Sequence, residues 1–165
     1  MVWLKELDTV SVFTALSDQQ LETLSALCSS ESYKRDDRLF KEGEPAEHMW
    51  IVTEGQVDLR FELPGNRTST PENTISSFVA QEDRKRVLGW SCFIPPYKMM
   101  LSAYCVSRTC SVIKLGREDL LEAFEQDPAM GYQVTSYLIK VVGYRFQQCQ
   151  EELAKVQGRD IMLSW

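Results

Sequence analysis

The residues with the most chemical potential lie in one cassette, Gly89-Trp90-Ser91-Cys92-Phe93-Ile94-Pro95-Pro96-Tyr97-Lys98-Met99-Met100-Leu101-Ser102-Ala103. It sits between two strand-like runs, Lys85-Arg86-Val87-Leu88 and Tyr104-Cys105-Val106. A glycine leading into a short helical turn presents free backbone N–H groups and the positive end of a helix, which together attract an anion. The arginine and the acid that would complete such a site are absent, and Lys98 is the cassette's one cation. Trp90, Phe93, Ile94, Tyr97, Met99, Met100 and Leu101 make the cassette apolar and aromatic. That composition suits a hydrophobic or planar ligand, or side chains that fill the hollow themselves.

Other reactive groups are sparse. Five cysteines, at 28, 92, 105, 110 and 149, include no Cys-x-x-Cys pair, and His48 is the single histidine. Zinc and iron–sulfur ligand spacings are therefore missing, and no metal or resident cofactor is expected. Small buried thiols kept reduced account for such a set, with a redox-sensing Cys92 as the alternative inside the cassette. No nucleophile stands beside a recognisable base and no phosphate loop is present, so an enzyme is not expected.

The net charge of −6 repels nucleic-acid phosphates. The longest basic cluster, Arg84-Lys85-Arg86, adjoins Glu82 and Asp83 and reads as a solvated hairpin. The first residues are too charged for a secretory core and no apolar run reaches membrane-spanning length, so a soluble cytoplasmic protein is expected.

The elements that must hold the cassette follow from periodicity. With 165 residues, 44% of them hydrophobic, one domain over 1–165 is expected. Its parts are an N-terminal helical segment (1–30), a β-roll (31–116), C-terminal helices (117–158) and a tail (159–165). Ser17 and Gln20 form a capping box and Leu16 and Leu21 a staple, predicting a helix over about 18–29. From Tyr33 the period falls to two, with turns at Glu42-Gly43-Glu44-Pro45 and Glu54-Gly55. Val57, Leu59, Phe61 and Leu63 alternate with polar residues, giving a hairpin with one buried face. Pro64 to Glu72 reads as a solvated loop. Strands at 75–79, 86–88, 103–106 and 111–115 complete an all-β middle, mainly β with flanking helices.

A short helix over 117–124 follows, then a long one opened by Asp127-Pro128 and stopped near Gln157 by Gly158. Met130, Val134, Tyr137, Leu138, Val141, Val142, Phe146, Cys149, Leu153 and Val156 form a stripe too broad for one small β-domain to cover. The same helix of a second subunit is the simplest partner, giving a homodimer through 128–157. Gly143 is a candidate for close approach at that crossing, whereas Gly131 reads more readily as incidental.

Phe40-Lys41-Glu42-Gly43, Trp50-Ile51-Val52, Gly55, Val57, Gly89, Ser102-Ala103 and Asp127-Pro128, in this order and spacing, resemble the cyclic nucleotide-binding domain of the catabolite activator and related regulators. The resemblance covers Val12 to about Leu153 and implies a β-roll, or jelly roll, with a long dimerisation helix. It implies a phosphate clamp of backbone amides and an arginine, with a glutamate after the glycine on the ribose. Here Trp90 takes the glutamate's place and Leu101, or Met100 with a one-residue slip, the arginine's. Losing both contacts removes about 3 to 6 kcal/mol, or about two to four decades of affinity, so the usual cAMP or cGMP binding is not expected. The family's base-contacting positions on the long helix fall on Arg145 and Phe146. Arg145 either snorkels to solvent or answers an acidic group in the pocket.

The candidate pocket is thus Gly89, Trp90, Ser91, Cys92, Lys98, Leu101, Ser102, Ala103 and Arg145. The seven residues after Gly158 are too few for a helix-turn-helix, so direct DNA binding is not expected. The implied function is a non-enzymatic regulatory module that senses a small molecule and signals through the dimer helix. A haem or thiol sensor using His48 or Cys92, and a ligand-free scaffold, are the alternatives.

Overall fold

The computed structural model describes Leu7 and residues 10–62, 70–71, 74–79 and 86–163, with backbone alone for 76–79 and 159–163. Among the described residues eight antiparallel strands form two four-stranded sheets. One holds, in spatial order, β1 (Cys28–Lys34), β8 (Thr109–Gly116), β3 (His48–Glu54) and β6 (Val87–Leu88). The other holds β2 (Arg38–Phe40), β7 (Ser102–Cys105), β4 (Gln56–Arg60) and β5 (Thr74–Val79). First pairs with last, second with seventh, third with sixth and fourth with fifth. This nesting is a jelly roll, the fold class the sequence led us to expect.

Among the described residues the flanking helices are α1 (Asp18–Leu27), α2 (Arg117–Gln126) and α3 (Pro128–Leu163). The capping box forms, with Gln20 N–H donating to Ser17 Oγ at 3.3 Å and Ser17 N–H to Gln20 Oε1 at 3.0 Å. Gln20 Nε2 also donates to Asp127 Oδ2 at 2.7 Å, while Asp127 Oδ1 accepts the Met130 N–H at 3.0 Å. One amide thus ties the start of α1 to the start of α3. α1 ends two residues earlier than expected because Cys28 already has extended backbone and begins β1.

β3 is enclosed on both faces along its middle, with Met49, Trp50, Ile51 and Val52 all buried. Phe40 of β2 meets Trp50 at 5.4 Å between ring centroids, so the Trp50 face looks across to the second sheet. The alternate residues, Met49 and Ile51, join the same core as Leu24 of α1, Leu120 of α2 and Met130 and Val134 of α3. The roll is therefore a sandwich with a third, helical layer on one side.

β4 departs from the expected alternation. It ends at Arg60, Phe61 is half exposed, and Leu63 lies outside the described residues. Asp58 and Arg60, read as the wet face, are buried at 7% and 4% exposure. They form an ion pair: Arg60 Nη2 lies 3.8 Å from Asp58 Oδ2, and the guanidinium sits 4.9 Å from the Tyr104 ring centroid.

α3 runs for 36 residues, about 54 Å at 1.5 Å per residue. It passes through Gly158 to Leu163, so the expected stop there does not occur. A helical glycine costs only about 1 kcal/mol relative to alanine, and the Ile161-Met162-Leu163 that follow sustain the helix. The two earlier glycines differ in their surroundings within the chain. A Cβ on Gly131 would meet Phe124 Cβ at 2.8 Å, marking the close approach of α2 and α3, whereas a Cβ on Gly143 would meet nothing within 4 Å. Glu72, Glu82, Asp83, Arg84, Lys85 and Trp165 lie outside the described residues, as does most of the expected loop that begins at Pro64.

Candidate functional site

The cassette folds as the sequence suggests. Gly89 takes φ +74°, and a Cβ there would stand 2.6 Å from His48 O and 2.8 Å from Trp50 Cδ1, so only glycine fits. Trp90–Phe93 is a single 3-10 turn, closed by the Cys92 N–H donating to Gly89 O at 3.0 Å. The chain returns through Pro95-Pro96, which are cis, to a short bridge between Pro45 and Lys98. There Ala46 N–H donates to Tyr97 O and Met99 N–H to Glu44 O, each at 2.8 Å. The turn after β2 thereby holds the outer leg of the cassette, as its Gly43 at φ +84° permits.

Arg117, at the start of α2, is the residue that fixes the inner leg. Its Nε donates to Cys92 O at 2.7 Å and its guanidinium lies 4.4 Å from the Tyr97 ring centroid. Phe93 stacks on Phe124 at 6.2 Å. Sequence reading missed Arg117, because nothing local distinguishes it from an ordinary first-turn residue of a helix.

Between roll and α3 lies a cavity of about 860 Å³. Phe40, Leu59, Thr74, Ile75, Met99, Met100 and Leu101 form its roll side, with Gly89, Trp90 and Ser91 at the turn. Arg145, Gln148, Cys149, Glu151, Glu152 and Lys155 close it from α3. Of the expected pocket residues, Gly89, Trp90, Ser91, Leu101 and Arg145 converge on this space. Four do not line it. Cys92 is buried beneath the turn, and burial pushes its thiol up to about 12, the opposite of a reactive cysteine. Lys98 is exposed on the outer leg. Ser102 is fully buried, its Oγ donating to Glu62 Oε1 at 2.5 Å and accepting the Glu42 N–H at 2.8 Å. Ala103 packs in the core beside Leu59 and Phe40.

Arg145 does not snorkel. It is half-buried, with Nη2 donating to Val87 O at 2.7 Å, and burial lowers its pKa to about 10. It stays charged at neutral pH. His48 begins β3 half-buried against the Trp50 ring edge, and burial lowers its pKa. Among the described residues no group of His, Cys, Asp and Glu side chains could hold a metal ion. No described helix is long and apolar enough to cross a membrane.

A second hollow, about 380 Å³, lies on the other side of Trp90. Phe93, Ile94, Leu138, Ile139, Val142 and Phe146 make it almost wholly apolar, and Gly143 keeps it open.

The cyclic nucleotide-binding domain model matches residues 30–127, more than half of the sequence. The chain belongs to the cyclic nucleotide-binding domain family. No curated protein sequence matches it. Among solved structures, a cyclic nucleotide-binding domain from Methylobacillus flagellatus KT superposes with a TM-score of 0.72 at 20% identity, over 92% of this chain and 80% of that one. The sensor domain of the transcriptional regulator DNR from Pseudomonas aeruginosa gives 0.67 at 16%, over 88% and 92%. A triple mutant of the regulatory subunit of a cAMP-independent protein kinase A from Trypanosoma brucei, with cAMP in its A site, gives 0.69 at 18%, over 92% and 50%. These likenesses establish the fold alone. The matching family model is that of a binding domain.

Proposed function

We propose that this family member is a non-enzymatic sensor that works as a homodimer and has exchanged the cyclic nucleotide clamp for an apolar pocket. The observation that carries the reading is the cavity wall. Trp90 and Leu101, with Met100 beside it, stand on the cavity where the family resemblance calls for a ribose-binding glutamate and a phosphate-binding arginine. Gly89, Ser91 and Arg145 complete the site. No direct contact with DNA is part of the proposal.

The dimer is supported by a second stripe on α3. Tyr132, Ile139, Phe146 and Leu153 recur every seven residues and are 70%, 72%, 62% and 58% exposed. Thr135, Val142, Cys149 and Val156 follow each by three positions. This is the a/d pattern of a two-stranded coiled coil. It lies about a quarter turn around α3 from the Met130, Val134, Leu138 and Val141 stripe that the protein's own roll buries. The large exposed residues call for a second copy in register, and signalling then follows from a change in α3 packing.

Calorimetry with cAMP, cGMP and a panel of small metabolites tests the sensing function. The expected result is silence with both nucleotides at micromolar concentration and heat with at least one other compound. Tight one-to-one capture of cAMP would sink the proposal.

A further inference from the structure

The charges around the larger cavity cancel, and that cancellation narrows what can fill it. Phe40, Leu59, Met99 and Leu101 line it from the roll, with the Trp90 indole at one end. Its charged residues, Arg145, Glu151, Glu152 and Lys155, all come from α3. Two are cations and two are carboxylates, so the lining carries no net formal charge and its field selects for neither sign of ligand.

Three of these charges are also engaged within the chain. Glu152 and Lys155 pair at 2.6 Å, and each has further interactions. The Arg145 guanidinium is half-buried, with Nη2 on Val87 O at 2.7 Å and a further partner besides. Glu151, the fourth, is exposed on α3 and keeps its water. A charged molecule entering here would give up its own water against an apolar wall without gaining a counter-ion, which opposes its entry whatever its sign. A neutral molecule incurs no such cost. Ser91 at the turn and Gln148 on α3 supply uncharged hydrogen-bonding groups, so a hydroxyl or carbonyl can be satisfied without a charge.

We infer that the ligand is an uncharged, mainly apolar small molecule with a hydroxyl or carbonyl at one edge, its body lying between the roll and α3 against Trp90. This deepens the sensing function proposed above and rests on it. It excludes cyclic nucleotides by their phosphate charge as well as by the missing clamp. The Trp90 indole and the Phe40 ring supply surfaces for a flat body, and the volume of about 860 Å³ accommodates two or three fused rings or their aliphatic equivalent.

The test uses one body with three headgroups: 2-naphthalenemethanol, 2-naphthoate and 2-naphthylmethylammonium, titrated into the full chain by calorimetry alongside cAMP. The alcohol is expected to bind roughly tenfold or more tighter than either ion. Leu101→Asp adds one carboxylate to a balanced wall and should lift the ammonium above the alcohol while weakening naphthoate further. An unchanged preference for the alcohol in that variant would overturn the assignment to this cavity. The wild-type series decides the matter even if the variant fails to fold. An ion of either sign that binds as well as the alcohol overturns the charge inference and leaves the sensing function standing. Binding of cAMP, alone or as tightly as the alcohol, overturns both the charge inference and the lost clamp. Silence from all four compounds overturns the inference and sensing together.

Discussion

The α3 seam gives the sharpest expectation. Ile139 is 72% exposed and stands at the rim of the apolar hollow. Burying an isoleucine stabilises by about 1.5–3 kcal/mol, and a twofold axis counts each substitution twice. Ile139→Asp therefore removes about 3–6 kcal/mol from association, raising the dimer Kd by about two to four orders of magnitude. Sedimentation across a hundredfold range of concentration reads this directly. Below the wild-type Kd the two proteins should unfold at nearly the same denaturant concentration, because the monomer loses little. Gln147→Asp, on the same helix one residue off the seam, should leave the Kd within about threefold, as expected of an exposed position. A wild-type protein that sediments as a monomer at all concentrations refutes the reasoning. So does equal dissociation by the two variants.

Further expectations are independent of the dimer. Gly89→Ala should destabilise the fold by several kcal/mol, since its Cβ would collide with His48 O and Trp50 Cδ1, and unchanged urea denaturation would contradict that geometry. Trp90→Glu combined with Met100→Arg, or with Leu101→Arg, should create cAMP affinity that calorimetry detects and that neither single change confers; two inert double variants would mean the clamp was lost for another reason. The Glu31 carboxyl is held below its usual pKa by the Lys114 ammonium and the Tyr33 hydroxyl. For Glu62, burial pushes upward but hydrogen bonds from Ser102 and Tyr104 and the charge of Arg38 outweigh it. Folded-state pKa values below the unfolded ones make the unfolded chain bind more protons, so stability is present above the ordinary carboxylate range and lost as pH falls through it. Glu62→Gln should flatten that acid limb in a chemical-denaturation series from pH 6 to pH 3, and an unaltered slope would rule Glu62 out as a contributor.

Helix starts were the most legible parts of the sequence, because capping chemistry is local: Ser17 with Gln20, and Asp127 before Pro128, need no distant partner to be read. The turns at Gly43, Gly55 and Gly89 were legible for the same reason, each having positive φ. β1 was not. Its residues Cys-Ser-Ser-Glu-Ser-Tyr-Lys show no alternation because it is an edge strand, paired on one side only with most side chains in solvent. Asp58 and Arg60 were misread because their burial depends on each other and on Tyr104, a residue from another strand. Arg145 could be placed in the cavity only once Val87 O was known to lie within reach of it. Of the proposed seam, Val142, Phe146, Cys149, Leu153 and Val156 were read in the apolar stripe, whereas Tyr132 and Ile139 were not, because the residues buried on the roll overlap them in sequence.

Trp90 borders both hollows, the larger one facing the roll and the smaller one facing the proposed second copy. A single indole cannot move for one without reshaping the other. A molecule that displaces it on entering alters the free energy of subunit association, and reciprocity makes the coupling equal in both directions. The factor by which the molecule tightens or loosens the pair is the factor by which pairing changes the molecule's own affinity. Saturation curves measured at different protein concentrations would then fail to superimpose, and the sign of their displacement would say which assembly state the occupied chain prefers.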